Sequence, residues 1–144
     1  MDKISLAMND LAIVICNWNK RDDVIKCLDS VALATSSKTD VIVVDNASTD
    51  GSIEALENYH TRPIRLIKNK ENLGGTGGFN SGLREVLSGN YKYVHLLDND
   101  VIVDQDTFTN SYKLLFDGQI FPADVVETYE LYPRFTCEKI SVPS

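Results

Sequence analysis

LAIVIC at residues 11–16, followed after one intervening segment by DVIVVD at residues 40–45, decides the fold. Each stretch is a short apolar run rich in β-branched residues, with almost no polar interruption. A half-exposed strand would alternate, and an amphipathic helix would show polar gaps every three or four positions. Runs of this kind are expected of strands buried on both faces, as in a parallel sheet covered by helices. Between them, Val24, Leu28 and Val31 recur at helical spacing across residues 22–34. Residues 52–59 read as a second helix, with Ser48 and Asp50 as capping candidates ahead of it. Residues 64–67 read as a short third strand. Phe79, Leu83, Val86 and Leu87 then fall at i, i+4, i+7 and i+8, the spacing of one helix face. Residues 92–97 read as a fourth strand and residues 107–116 as a last helix. The alternation predicts an α/β fold, with a mainly parallel central sheet of strands at 11–16, 41–45, 64–67 and 92–97 flanked by helices.

The chain has 144 residues, enough for one domain with a sizeable core. Its hydrophobic share of 43% is that of a globular protein. The net charge is −7 and no basic patch is visible, so no nucleic-acid partner is expected. The same acidity would repel a phosphate ligand unless a metal or backbone N–H groups intervened. Three cysteines, Cys16, Cys27 and Cys137, occur without a CxxC pair. Cys16 and Cys27 sit in apolar patterns and read as small buried residues, which favours a reducing compartment. No leader-like segment and no apolar run near the ~18 residues of a membrane span is visible, so a cytoplasmic location is expected. In that setting the acceptor-like triplet Asn46-Ala47-Ser48 carries no meaning. Periodicity fades after residue 116, which divides the chain into a binding domain at 1–116 and an irregular tail, or truncated remainder of the same domain, at 117–144.

In parallel sheets, ligands bind outside the carboxyl ends of the strands. Here every predicted strand ends in a polar or glycine-rich segment: Asn17-Trp18-Asn19, Asp45 to Asp50, Asn69 to Gly78, and Asp98-Asn99-Asp100. In the last, residues i and i+2 of an extended segment would present two carboxylates to one side. The pair is costly without a cation and offers hard oxygen ligands suited to Mg²⁺ or Mn²⁺, which would in turn attract a diphosphate. A polar loop with a helix cap is the plainer alternative. Residues 74–78 hold four glycines, allowing φ > 0 and close backbone approach, and the segment opens the next helix, whose N-terminus favours anions. Valine at Gly75 or Gly77 is therefore expected to cost ligand binding more than stability. Neither a dinucleotide fingerprint nor a Walker loop is present. Asp45 ends a buried strand, where a carboxylate needs a partner; an N–H of a nucleobase would serve. Asp50 reads as a helix cap. Trp18 suits base stacking or local packing equally, and His60 and His95 read as structural.

The succession IVICNWNK, VIVVDNASTDGS, NKENLGGTGGFNSGL and VHLLDNDV resembles the family 2 glycosyltransferases in order and spacing, over residues 11–116. NLGGTGGFNSGL is most similar to the galactofuranosyl- and rhamnosyltransferase branches, although galactofuranosyl enzymes carry Asp where this chain has Asn99. The resemblance implies the Rossmann-like GT-A nucleotide-diphospho-sugar transferase fold and inverting transfer from a UDP- or dTDP-sugar. By position it places Asn17 and Asn19 near the base and Asp45 on the base edge. It lays Asn72, Gly74, Gly75 and Gly77 along nucleotide and sugar, Asp98 at ribose or metal, and Asp100 on Mg²⁺ or Mn²⁺. It implies a glycan or lipid-linked acceptor, a role in cell-surface polysaccharide biosynthesis, and peripheral association of a longer protein with the cytoplasmic face of a membrane. Relatives carry a catalytic base well beyond the metal motif. Glu127, Glu130 and Glu138 lie in the tail with no pattern to support any of them, so no base is assigned. A truncated donor-binding part is expected to bind nucleotide sugar, to transfer it poorly, and to self-associate through open sheet edges. The alternatives are a nucleotidyltransferase, which would need a basic glycine loop after the first strand, and a non-catalytic nucleotide-binding module.

Overall fold

The computed structural model describes residues 10–116. The tail at 117–144, with Cys137, Glu127, Glu130 and Glu138, lies outside the described residues. Four strands and four helices alternate: β1 (Leu11–Asn17), α1 (Arg21–Ala34), β2 (Asp40–Asp45), α2 (Ser52–Glu57), β3 (Arg65–Lys68), α3 (Gly74–Leu87), β4 (Tyr93–Asp98) and α4 (Thr107–Phe116). The strands pair in parallel in the order β3-β2-β1-β4. The expected architecture therefore stands, with strand limits displaced by about one residue at several ends.

The order explains which helix covers which face. From β1 to β3 the chain steps across the sheet in one direction. From β3 it returns over β2 and β1 to reach β4. Parallel crossovers are right-handed, so reversing the direction of travel moves the connecting helix to the opposite face. The side chains sort accordingly. Leu11, Ile13, Ile15, Val41, Val43 and Leu97 pack with Val24, Cys27, Leu28 and Val31 of α1, Leu56 of α2 and Phe108 of α4. Ala12, Val14, Ile42 and Val44 face the other way and pack with Val86 of α3. Both β1 and β2 are thus buried on both sides, as their unbroken apolar runs require. The edge strand β3 is exposed or half-buried throughout; its two apolar residues divide between the faces, Leu66 packing against the first cluster and Ile67 against the second.

Two glycines bring α3 down onto the sheet. A Cβ on Gly78 would stand 2.1 Å from Cys16 Sγ, and one on Gly82 would stand 2.3 Å from Val14 Cγ1. The pair, one helical turn apart, leaves no side chain between helix and strand. At the far end of the sheet the buried Arg62 guanidinium donates to the Thr35 hydroxyl and the Thr39 carbonyl, tying the loops before β2 and β3 together. His95 packs edge-on against Phe108, ring centroids 5.0 Å apart, and burial pushes its pKa down. It is structural, as expected.

The glycines of α3 should therefore respond in opposite ways to alanine. Gly82→Ala overpacks the interface with Val14 and should destabilise by about 1–3 kcal/mol, partly offset by helix propensity. Gly75→Ala meets nothing within 4 Å and should be neutral or stabilising by up to about 1 kcal/mol. Urea unfolding of the two variants beside the wild type checks the contrast; equal effects would contradict it.

Candidate functional site

Where a sheet reverses its direction of winding, the loops at the carboxyl ends of two neighbouring strands diverge and leave a crevice. In this chain the reversal falls between β1 and β4, which carry Asn17-Trp18-Asn19 and Asp98-Asn99-Asp100. The loop after β2 stands on the other side of β1. These are the segments singled out from the sequence, and the fold gathers them at one edge.

Asp45 is the centre of the arrangement. It is wholly inaccessible to solvent. Its Oδ1 accepts the Ser48 backbone N–H at 2.8 Å, and its Oδ2 accepts the Ser48 hydroxyl at 2.8 Å and the Asn17 amide at 3.0 Å. Ser48 does not cap α2, in contrast to its reading as a capping candidate. Its hydroxyl instead bridges Asp45 to the Asn19 backbone N–H, 2.9 Å away. That geometry depends on Ala47 at φ 62°, a left-handed conformation costing about 1–2 kcal/mol for a non-glycine residue. Asn19, at φ 50°, is a residue type that tolerates this region, and its Oδ1 accepts the Thr49 N–H at 2.8 Å. The base-edge role expected of Asp45 thus falls on a carboxylate already enclosed by its own chain. Trp18 is 52% exposed beside it.

Asp50 is the cap. Its Oδ1 accepts the N–H and hydroxyl of Ser52 at the start of α2, while its Oδ2 accepts the N–H of Arg21 at the start of α1, 2.9 Å away. One carboxylate thereby serves two helix N-termini. What burial it has works against the charged form, but these hydrogen bonds win and hold its pKa below the ordinary 3.8.

The glycine-rich segment opens a helix, as expected: α3 begins at Gly74 and includes all four glycines. Only Gly74, at φ 74°, needs the left-handed region there. Gly75 and Gly77 do not require φ > 0, in contrast to the expectation. A Cβ on Gly77 would meet Leu73 Cβ at 2.5 Å, so that position is restricted by packing. Asn72 accepts the Gly74 N–H at 2.8 Å. The buried Asn46 donates to the Gly74 carbonyl at 2.9 Å and accepts from Asn69 at 2.8 Å, fastening the start of α3 to the end of β2.

The acidic triplet also differs in detail. β4 ends at Asp98, and Asn99 and Asp100 form a turn closed by the Val101 N–H on the Asp98 carbonyl at 3.3 Å. The pleat therefore does not bring Asp98 and Asp100 to one side. Both nevertheless act on the same thiol: burial first, then Asp100 and Asp98, push Cys27 up to about 12. Cys16, pushed up to about 11, feels burial and then Asp45 and Asp98. Both carboxylates of the triplet are exposed, and among the described residues neither forms a salt bridge. No group of three or more His, Cys, Asp and Glu among the described residues is placed to hold a metal. The donor set still fits Mg²⁺ or Mn²⁺ of the kind that keeps waters and is held by one or two carboxylates together with substrate phosphates, without an all-protein cage.

Asn46, Ser48 and Asn99 are the site residues that sequence reasoning passed over. The signal was present in the two strand-end runs, Asp45-Asn46 and Asp98-Asn99, where a carboxylate is followed by an amide able to donate across the strand ends. A cavity of about 410 Å³ lined by Leu56, Tyr59, Pro63, Ile64 and Leu66 lies under α2 at the β3 edge and includes none of the expected site residues.

Fold and site together define an α/β domain whose switch-point edge carries an exposed acidic pair beside a buried network of amides. Residues 12–129 match Glycosyl transferase family 2, and the chain belongs to that family. The glycosyltransferase GlyA of Streptococcus pneumoniae serotype 4 is 30% identical over 115 residues, covering 79% of this chain and 16% of the relative. The poly(ribitol-phosphate) beta-glucosyltransferase of Bacillus spizizenii is 28% identical over 113 residues, covering 76% and 18%. The chain thus spans about a sixth of the length of these relatives. Among solved structures, a mannosyltransferase from Pyrobaculum calidifontis in complex with GDP-Man and Mn²⁺ superposes with a TM-score of 0.65 at 26% identity, over 74% of this chain and 32% of that one. S. aureus TarS 1-349 with UDP-GlcNAc gives 0.65 at 18% identity, over 76% and 32%, a likeness of fold.

Two outcomes follow from the hydrogen bonds. Ser48→Ala leaves Asp45 short of a donor and the Asn19 N–H without its acceptor, and should lower unfolding free energy by about 1–3 kcal/mol, read by urea denaturation. Asp50 is held below its ordinary value, so its contribution is complete above that value and is lost as pH falls through the folded one. The melting-temperature gap between wild type and Asp50→Ala should therefore be constant near neutrality and close as pH falls below the ordinary carboxylate value. A gap that widens in acid would contradict the assignment.

Proposed function

We propose that this chain is the donor-binding part of an inverting glycosyltransferase, which takes a UDP- or dTDP-sugar through Mg²⁺ or Mn²⁺ and serves a glycan or lipid-linked acceptor. The observation that carries the reading is the pair of exposed carboxylates, Asp98 and Asp100, without salt-bridge partners among the described residues, across the switch point from the Asn17–Asn19 loop. In a chain of net charge −7, a diphosphate needs both a cation and backbone donors to bind. Asp98 and Asp100 would hold the cation. The N–H groups of the first turn of α3, left without intrahelical acceptors, favour the anionic end of the donor. Trp18 and Asn19 border the place left for the nucleoside, and the buried Asn17 and Asp45 keep that border in shape. A cation held by Asp98 and Asp100 would neutralise charge on the departing diphosphate.

The complexes of relatives support this reading: one holds GDP-Man with Mn²⁺ and another UDP-GlcNAc. Because those two bases differ, a guanine donor belongs beside UDP and dTDP in any test. The names of the relatives also support a role in cell-surface polysaccharide assembly. No helix among the described residues is long and apolar enough to cross a membrane. Membership in a glycosyltransferase family leaves the nucleotidyltransferase alternative without support.

The test is calorimetry with UDP-, dTDP- and GDP-sugars, with and without Mn²⁺. One donor should bind, with Mn²⁺ improving affinity by about tenfold or more, roughly 1.4 kcal/mol. Asp100→Ala should remove that gain and Asp98→Ala should reduce it. Equal Mn²⁺-dependent affinity in wild type and Asp100→Ala would refute the metal assignment.

A further inference from the structure

Asp98 and Asp100 have a role in the donor-binding reading, whereas Asn99 between them has none. Yet Asn99 is the member of the triplet whose side chain reaches across the switch point. Its Nδ2 donates to Asn17 Oδ1 at 2.9 Å. Asn17 is fully buried, and its own Nδ2 donates to Asp45 Oδ2 at 3.0 Å. An ionised carboxylate can only accept, so Asp45 fixes the sense of the Asn17 amide: nitrogen toward Asp45, oxygen toward β4. That oxygen in turn demands a donor from position 99. The three side chains form a directed path, Asn99 to Asn17 to Asp45, linking the ends of β4, β1 and β2. From Asp45 it continues through the Ser48 hydroxyl to the Asn19 backbone N–H.

The acidic turn is otherwise held through its backbone. The Asp98 carbonyl accepts from the Val101 N–H and, at 3.6 Å, from the Cys27 thiol. Behind it the Val103 N–H is taken by Ser30 at 3.1 Å. These bonds anchor the turn to α1 on one face of the sheet. Among the described residues, the Asn99 amide is the side chain that ties it sideways to the loops that border the nucleoside.

We propose that Asn99 is a positioning residue that couples cation binding at Asp98 and Asp100 to nucleotide binding beside Asn17 and Asn19, through the Asn99–Asn17–Asp45 hydrogen-bond path. The inference rests on the donor-binding reading and adds a cause for cooperativity within it. A cation and a nucleotide diphosphate share the phosphates, so each helps the other in any case. Asn99 adds to this by holding the turn at the distance the diphosphate spans, so the ordering is already done when either ligand arrives.

The experiment measures the ratio of Kd without Mn²⁺ to Kd with Mn²⁺, by calorimetry with UDP and in parallel with dTDP and GDP, on the full chain. Wild type, Asn99→Ala and Asn99→Leu are compared, each checked by its melting curve. Asn99 is half-exposed, so both variants should fold. Leucine keeps the branched shape and heavy-atom count of asparagine but cannot donate; it separates loss of the hydrogen bond from loss of bulk. The ratio should fall by about fivefold or more in both variants. A ratio kept at the wild-type value, even where both affinities weaken together, marks a merely structural Asn99 and overturns the inference. So does a ratio restored by leucine. A wild type that binds none of UDP, dTDP and GDP under either condition overturns the donor-binding reading and this inference with it, a pattern distinct from a wild type with a clear Mn²⁺ gain that Asn99→Ala retains.

Discussion

A carboxylate at zero solvent exposure is costly to bury unless every lone pair that needs a donor finds one. Asp45 is such a group, and its demands organise the carboxyl edge of the sheet. Ser48 must turn back to supply both its N–H and its hydroxyl, which puts Ala47 into the left-handed region. Asn17 must point its amide nitrogen toward β2, which leaves its oxygen to β4 and draws in Asn99. Three loops from three strands thus take their shape from one charge. Ser48 and Asn17 are neutral donors, so no cation among these partners offsets the acidity of an edge that already carries Asp98 and Asp100, and that acidity persists.

This persistence bears on ligand choice. An acidic crevice in an acidic chain disfavours a bare phosphate and favours one that arrives with a divalent cation. The exposed pair at Asp98 and Asp100 supplies hard oxygen ligands without completing a cage, the situation in which Mg²⁺ or Mn²⁺ keeps open positions for phosphate oxygens. The neighbouring thiols are unsuited to compete as ligands. Cys27 and Cys16 are raised to about 12 and about 11, chiefly by burial and then by these same carboxylates, so they stay protonated near neutrality.

The opposite face of the sheet works by removing side chains. Gly78 and Gly82 let α3 lie directly on Cys16 and Val14, and this close approach carries the N-terminus of α3 to the same edge as the strand-end loops. Asn46 then locks it there through the Gly74 carbonyl and Asn69. Membership in glycosyl transferase family 2 accords with each of these features, but the crevice is described by its own chemistry: buried carboxylate, amide path, exposed acidic pair, glycine-faced helix.

The sequence by itself determined the elements, their parallel arrangement and the edge at which function gathers. LAIVIC and DVIVVD are too uniformly apolar for anything but strands covered on both sides, and the polar residues that follow each strand must then share one edge. It determined Asp50 as a cap, because an acceptor just ahead of a helix has little else to do. Only the tertiary structure decided what each polar residue at the edge does. Ser48 and Asp50 look alike as capping candidates, and a contact with Asn17, far away in sequence, separates their roles. Local propensity disfavours the glycines of residues 74–78 in a helix, yet they open α3, where Gly78 lies directly on Cys16. The turn at Asn99 ends the strand where an extended reading would continue it, since the partner that holds it is a side chain on another strand. Strand and helix periods are local properties of the chain; hydrogen-bond partners between loops are set by which strands become neighbours.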